Sequence, residues 1–307
     1  MKKNEEIKEL VEKLKEAGIS LTEDQVAQLA GILEKDFSYV PKIGVFGKTG
    51  AGKSSFVNAI FGQDVCPVSD VEACTRNLQE ANVGGIILVD CPGIAESAER
   101  DEEYKKMYTE LIPKLDAIIW VLKGDDRSYG PDLDFYELIK HCFKTEDGKN
   151  APVFFALNQV DKIAPCREWN EKDCEPGDNQ RKNIEKIVSH VAGLFKTDEN
   201  HVVPISSSER YNLPKLVGAL VNSLPANKAL IVLSPISKTT IKNGRSSEIT
   251  KVEDIYERRT SDYFENLVDR AKELWNEYKE PIKKVLKFGL RVAISRVPFL
   301  SPLKKLL

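Results

Sequence analysis

The 307-residue chain has no apolar run near the roughly 20 residues that a membrane-spanning helix needs. With 30% charged residues, its composition excludes multi-span membrane, collagen-like and coiled-coil proteins. Paired cysteines are missing as well. Cys66, Cys74, Cys91, Cys142, Cys166 and Cys174 are scattered without a C-x-x-C pair, and no histidine lies close to two of them, so free thiols are expected. The opening residues MKKNEEIKEL are charged from the start and contain no apolar h-region, so no secretory signal and a cytoplasmic protein are expected. A large net charge is also lacking: 45 Lys+Arg against 48 Asp+Glu leave −3, which argues against attraction to nucleic acid over the whole surface. What the chain does have is length and apolar content, 41%, sufficient for one to three compact units with real cores.

Three parts follow from the patterning. In residues 1–36, Ile7, Leu10, Val11 and Leu14, then Val26, Leu29, Ile32 and Leu33, recur at helical spacing around a break at Gly18. Two short helices are implied, the second opened by a capping box of Thr22 and Gln25. In residues 37–225, apolar β-rich runs alternate with helical stretches: Lys42-Phe46, Ile86-Asp90, Ala117-Leu122, Val153-Leu157 and Val202-Ile205. That rhythm indicates an α/β domain with a mostly parallel sheet buried on both sides. Gly84-Gly85 reads as the turn of a hairpin, which would make 77–83 an antiparallel edge strand. In residues 226–307, Ile255, Tyr263, Phe264, Leu267, Val268, Ala271, Leu274, Trp275 and Tyr278 trace one face of a long amphipathic helix. A second helix is expected from Pro281 to Arg296, and the polar stretch Lys238-Ser247 is expected to be a flexible connection.

The chemistry starts at GKTGAGKS, which follows the strand at 43–46 and precedes a helical stretch. Gly47, Lys48, Thr49, Gly50, Ala51, Gly52, Lys53, Ser54 and the adjoining Ser55 form a loop whose glycines let backbone N–H groups close around phosphates at a helix N-terminus. Lys53 supplies a point charge to the β- and γ-phosphates, and the Ser54 hydroxyl can ligate Mg2+. The base is selected further on. Asn158, Gln159 and Asp161, in NQVD, follow the strand at 153–157, where a pocket opens at the carboxyl end of a parallel sheet. A carboxylate at Asp161 can accept from N1–H and the exocyclic amine of guanine, and adenine offers no such donor pair. GTP and GDP are therefore the expected ligands.

At these motifs the chain resembles the TrmE, Era and septin group of P-loop GTPases. The likeness rests on GKTGAGKSSFVNAIFG, Thr75, DCPG at 90–93, NQVD and ISSS at 205–208. VSDVEACTRN at 68–77 and PGIAES make it similar to the YfjP/YeeP-like GTPases of bacterial genomes, whose flanking helices resemble those of immunity-related GTPases. The resemblance implies a three-layer α/β P-loop GTPase domain flanked by N- and C-terminal helical segments. It assigns Thr75 to the γ-phosphate and Mg2+, Asp90 to the metal's outer shell through water, the Gly93 N–H to the γ-phosphate, and Ser206, Ser207 and Ser208 to the guanine. Hydrolysis would then release the loops around Thr75 and Gly93.

Some residues depart from the family pattern. Ile94 stands where Ras-type enzymes carry a water-orienting Gln, and Gly50 stands where potassium-dependent relatives carry Asn. Glu96 is then either an alternative water-orienting residue or a solvated side chain, and Gln159 replaces the usual Lys. Arg76 could act as an arginine finger in cis or across a homodimer formed through the nucleotide face; Arg127 is expected to be held by Asp125 or Asp126. Residues 281–307 contain seven basic residues and no acid, leaving −10 for the rest of a chain whose total is −3. Such a helix either packs on its own domain or meets an anionic membrane surface or a protein partner. Binding to RNA or the ribosome, as in Era-like relatives, is the other partner class, although no RNA-binding module is recognisable.

Overall fold

The structure, a computed structural model, describes residues 22–62, 79–83, 86–90, 108–126, 128–144, 148 and 150–274. Its centre is one sheet of six strands: β1 (Lys42–Phe46), β2 (Gln79–Val83), β3 (Ile86–Asp90), β4 (Ala117–Lys123), β5 (Val153–Asn158) and β6 (Val202–Pro204). Their spatial order is β2-β3-β1-β4-β5-β6. Among the described residues only the β2–β3 pair of strands is antiparallel, which places the expected edge strand where the sequence put it; Gly84-Gly85 lie outside the described residues. Among the described residues, the longer helices are α1 (Glu23–Ser38), α2 (Lys53–Phe61), α3 (Gly130–Ile139), α4 (Asp178–Phe195), α5 (Leu213–Asn222), α6 (Ala226–Asn243) and α7 (Ser246–Leu274).

Strand alternation divides the core between two layers. In β4, Ala117, Ile119 and Val121 join the layer that contains α2, α5 and α6, whereas Ile118, Trp120 and Leu122 join the layer of α3 and α4. Because both faces are covered, the strand reads as a continuous apolar run. Trp120 is fully buried and packs among Phe46, Phe135, Tyr136, Phe155 and Phe195, with ring centroids 5.5–6.5 Å from its own.

The sequence did not disclose α6. Its run ALIVLSPIS is apolar on all sides and shows no 3.6-residue stripe, because the helix is enclosed by α1, α2, α5 and α7 rather than lying half in water. The expected flexible connection at Lys238-Ser247 is also corrected. The helix continues to Asn243, Thr239 and Thr240 are buried, and only Gly244 and Arg245 separate α6 from α7. Polar composition misled here because these hydroxyl side chains face inward.

Three polar clusters tie the helices to one another and to the sheet. Thr22 and Gln25 form the expected capping box, and at the far end of α1 the buried Asp36 accepts from Tyr263 Oη at 2.9 Å and Arg270 Nη1 at 2.6 Å. Asp116, before β4, accepts from Tyr39, from the Lys42 amide and from Lys228 of α6. Glu248, 4% exposed at the start of α7, accepts from Arg210 Nε at 3.1 Å and Arg245 Nε at 2.9 Å, and Arg210 also donates to Ala59 O of α2 at 2.8 Å. The first N-terminal helix, the end of the long helix beyond Leu274 and the 281–296 helix lie outside the described residues. Among the described residues, no helix is long and apolar enough to cross a membrane.

Candidate functional site

The β1–α2 turn has the backbone of a phosphate cradle. Gly47, Gly50 and Gly52 have φ of 138°, 80° and 88°. Two of these glycines are fixed by close approach. A Cβ on Gly47 would stand 2.2 Å from Val121 O, and one on Gly52 would stand 2.5 Å from Asn158 Nδ2. Gly52 begins α2 without a side-chain cap, so the amides of the first turn, which have no carbonyl partner within the helix, face the loop. Lys53 Nζ donates to Gly47 O at 2.9 Å and Lys48 O at 3.4 Å, which holds its ammonium across the concave side of the turn. Ser54 is half-buried, Thr49, Gly50 and Ser55 are exposed, and Ala51 is buried.

The segment after β5 meets this loop from the side. Asn158 donates from Nδ2 to Ala51 O at 3.0 Å, and its Oδ1 accepts from both the amide and the hydroxyl of Ser207, at 3.0 and 2.9 Å. Both ends of its side chain are thus engaged with protein, so Asn158 joins the phosphate loop to the 206–208 segment. Gln159, with φ 63°, donates to Gly50 O at 3.2 Å and accepts from Lys162 at 2.9 Å. Asp161 differs from its neighbours: its Oδ1 is buried and has no hydrogen-bond partner. The main chain beneath is fixed by the fully buried Gln180 of α4, which donates to Asp161 O at 3.1 Å and Ile163 O at 2.9 Å. Gln180 escaped the sequence reading because a Gln in the first turn of a polar helix carries no signal of its target. Ser206 is buried with its hydroxyl toward Ser208 Oγ, 3.1 Å away, and Ser208 is exposed.

Lys48, expected among the nucleotide contacts, turns its side chain away from the cradle. Its ammonium pairs with Asp126 and donates to Ser128 O at 3.4 Å. Asp125 pairs with Lys123. Close by, Asp132 is fully buried in the first turn of α3 and accepts from Trp120 Nε1 at 3.0 Å. Burial pushes its carboxyl above the ordinary aspartate range, while the indole N–H and Lys48 pull it back. Thr75, Arg76, Gly93, Ile94, Glu96, Arg127 and the basic 281–307 segment lie outside the described residues. Asp90 ends β3 in register with Val45 of β1, beside the phosphate loop, and only its main chain is described. Among the described residues no group of three or more His, Cys, Asp or Glu side chains could hold a metal ion.

The sequence model of the 50S ribosome-binding GTPase family matches residues 42–159. YkfA of Escherichia coli K12 is 34% identical over 212 residues, which cover 66% of this chain and 70% of YkfA. YfjP of the same organism is 36% identical over 192 residues, covering 61% of this chain and 63% of YfjP. The chain therefore spans about two thirds of the length of these curated relatives. Among solved structures, Aquifex aeolicus Era bound to GDP·AlF4− is similar at a TM-score of 0.46 and 26% identity, covering 61% of this chain and 57% of Era.

Proposed function

Because the chain belongs to the P-loop GTPases of the YkfA and YfjP type, we propose that it binds GTP with Mg2+, hydrolyses it to GDP and phosphate, and works as a nucleotide-dependent conformational switch. The observation that carries this reading is the buried, partnerless Oδ1 of Asp161 in the segment after β5. A buried acceptor without a donor is costly, roughly 1–3 kcal/mol. The N1–H and amine of guanine would supply the missing donors, so the residues fit a guanine nucleotide. Asn158 and Gln159 tie this segment to Ala51 and Gly50, so base and phosphates would be held on one frame.

Within that reading Lys53 moves from the Gly47 and Lys48 carbonyls to the β- and γ-phosphates, while the first-turn amides of α2 orient the phosphate chain. Ser54, Thr75 and Asp90 are a hard-oxygen donor set of the kind that suits Mg2+, which when bound would neutralise charge between the β- and γ-phosphates. Turnover is slow, because Ile94 stands where a water-orienting Gln would be, and Glu96 is the candidate substitute. The 65–75 and 90–102 segments are the loops whose contacts change with the γ-phosphate.

The test is base selectivity. Asp161→Asn exchanges a paired acceptor for a mixed donor and acceptor, so it should shift preference from GTP to xanthosine triphosphate, while Lys53→Ala should abolish hydrolysis and weaken binding. An Asp161→Asn protein that still prefers GTP, or undiminished turnover after Lys53→Ala, overturns the reading.

A further inference from the structure

We propose that Lys48, although it lies within the phosphate loop, is a positioning residue, and that its ion pair with Asp126 fixes the first turn of the loop to the connection between β4 and α3. This rests on the reading of residues 47–55 as the phosphate cradle.

The two lysines of the loop face different environments. Lys53 lies across the concave side on the Gly47 and Lys48 carbonyls, whereas the Lys48 ammonium is taken up by Asp126 and Ser128 O. The side chains of Lys48 and Asp126 are only 22% and 17% exposed, so their attraction is less screened than that of a surface pair. Asp126 is itself held in a formed turn. Its amide donates to Lys123 O at 3.2 Å, its Oδ1 accepts from the Ser128 amide at 3.4 Å, and Ser128 Oγ accepts from the Gly130 amide at 3.2 Å, leading straight into α3.

A second carboxyl makes Lys48 harder to replace. Asp132 in the first turn of α3 is fully buried, with one oxygen on Trp120 Nε1 and the other without a partner. Lys48 and Asp126 both act on it, with opposite sign. Lys48 therefore offsets the repulsion that Asp126 exerts on this carboxyl.

The link to the nucleotide runs through the Lys48 backbone. Its carbonyl accepts from the Ala51 amide at 3.2 Å, which closes the turn, and from Lys53 Nζ at 3.4 Å. Anchoring the Lys48 side chain thus fixes the carbonyl that positions both the turn and the cation meant for the phosphates.

The test is the dissociation rate of a fluorescent GDP analogue from the purified full chain, at low and high salt. Lys48→Ala and Asp126→Ala are each expected to raise the rate about tenfold, equivalent to roughly 1.4 kcal/mol. The double variant should be no faster than either single one, as for residues acting as one unit. Lys48→Arg should keep the wild-type rate, and the charge exchange Lys48→Asp with Asp126→Lys should restore it to within about threefold. If Asp126→Ala leaves the rate unchanged the proposal fails, and if Lys48→Ala abolishes binding while Asp126→Ala binds normally it fails because Lys48 is then a direct phosphate ligand. A wild-type protein that does not bind the analogue overturns the nucleotide reading itself.

Discussion

At the scale of single residues, glycines in the loop after β1 that must be glycine contrast with a helical one that need not be. Gly52 has φ 88° and leaves no room for a Cβ beside Asn158 Nδ2. Gly52→Ala is expected to destabilise the fold by roughly 1–3 kcal/mol through backbone strain. It should also loosen nucleotide binding, because Asn158 would be pushed off Ala51 and Ser207; thermal denaturation and titration with a fluorescent nucleotide read the two effects. Gly193, inside α4 with open space around it, should respond in the opposite way, Gly193→Ala stabilising by about 0.4–1 kcal/mol. The residues legible in the sequence were those whose chemistry is carried by local spacing: the glycines, Lys53 and the NQVD segment. Asp126, Asp132 and Gln180 were not legible as site residues, because each acts on a partner brought near only by the sheet: Lys48, Trp120 and the Asp161 main chain.

At the scale of elements, periodicity identified α1 and most of α7, which present one face to water, together with the buried strands, whose apolar runs are short and bounded by turns. It failed for α6, where burial on every side removes the pattern itself. That enclosure has an energetic consequence. Leu230 and Leu233 are 1% and 0% exposed and belong to the same core as Ile43, Val45 and Phe56. Leu230→Ala or Leu233→Ala should each cost about 2–5 kcal/mol. Since Trp120 reports from the opposite layer of the sheet, circular dichroism and tryptophan fluorescence should lose signal in one coincident transition; two separate transitions would mean that α6 unfolds independently of the sheet.

At the scale of the whole molecule, both layers contain tyrosines that titrate reluctantly. Burial raises the pKa of Tyr129 in one layer and of Tyr256 and Tyr263 in the other. A pKa that is higher folded than unfolded contributes stability that is complete below the unfolded value, about 10, and is lost as the pH climbs above it. The protein should therefore keep its stability up to about pH 10 and lose it steeply beyond, as denaturant midpoints across pH would record. Tyr256→Phe, which removes a buried hydroxyl without a partner, should leave neutral stability unchanged or higher and make the alkaline limb shallower. The buried Glu248 joins distant parts in another way. Its two guanidiniums come from the end of the serine loop and from the start of α7, and Arg210 also reaches the helix that follows the phosphate loop. Arg245 stays on Glu248 if Arg210 leaves, so the loss is that of one hydrogen bond to a charged group, about 1.5–3 kcal/mol. Any motion that draws Arg210 away must therefore carry α7 with it or leave Glu248 to Arg245 alone, which couples the 206–210 loop mechanically to the longest described helix.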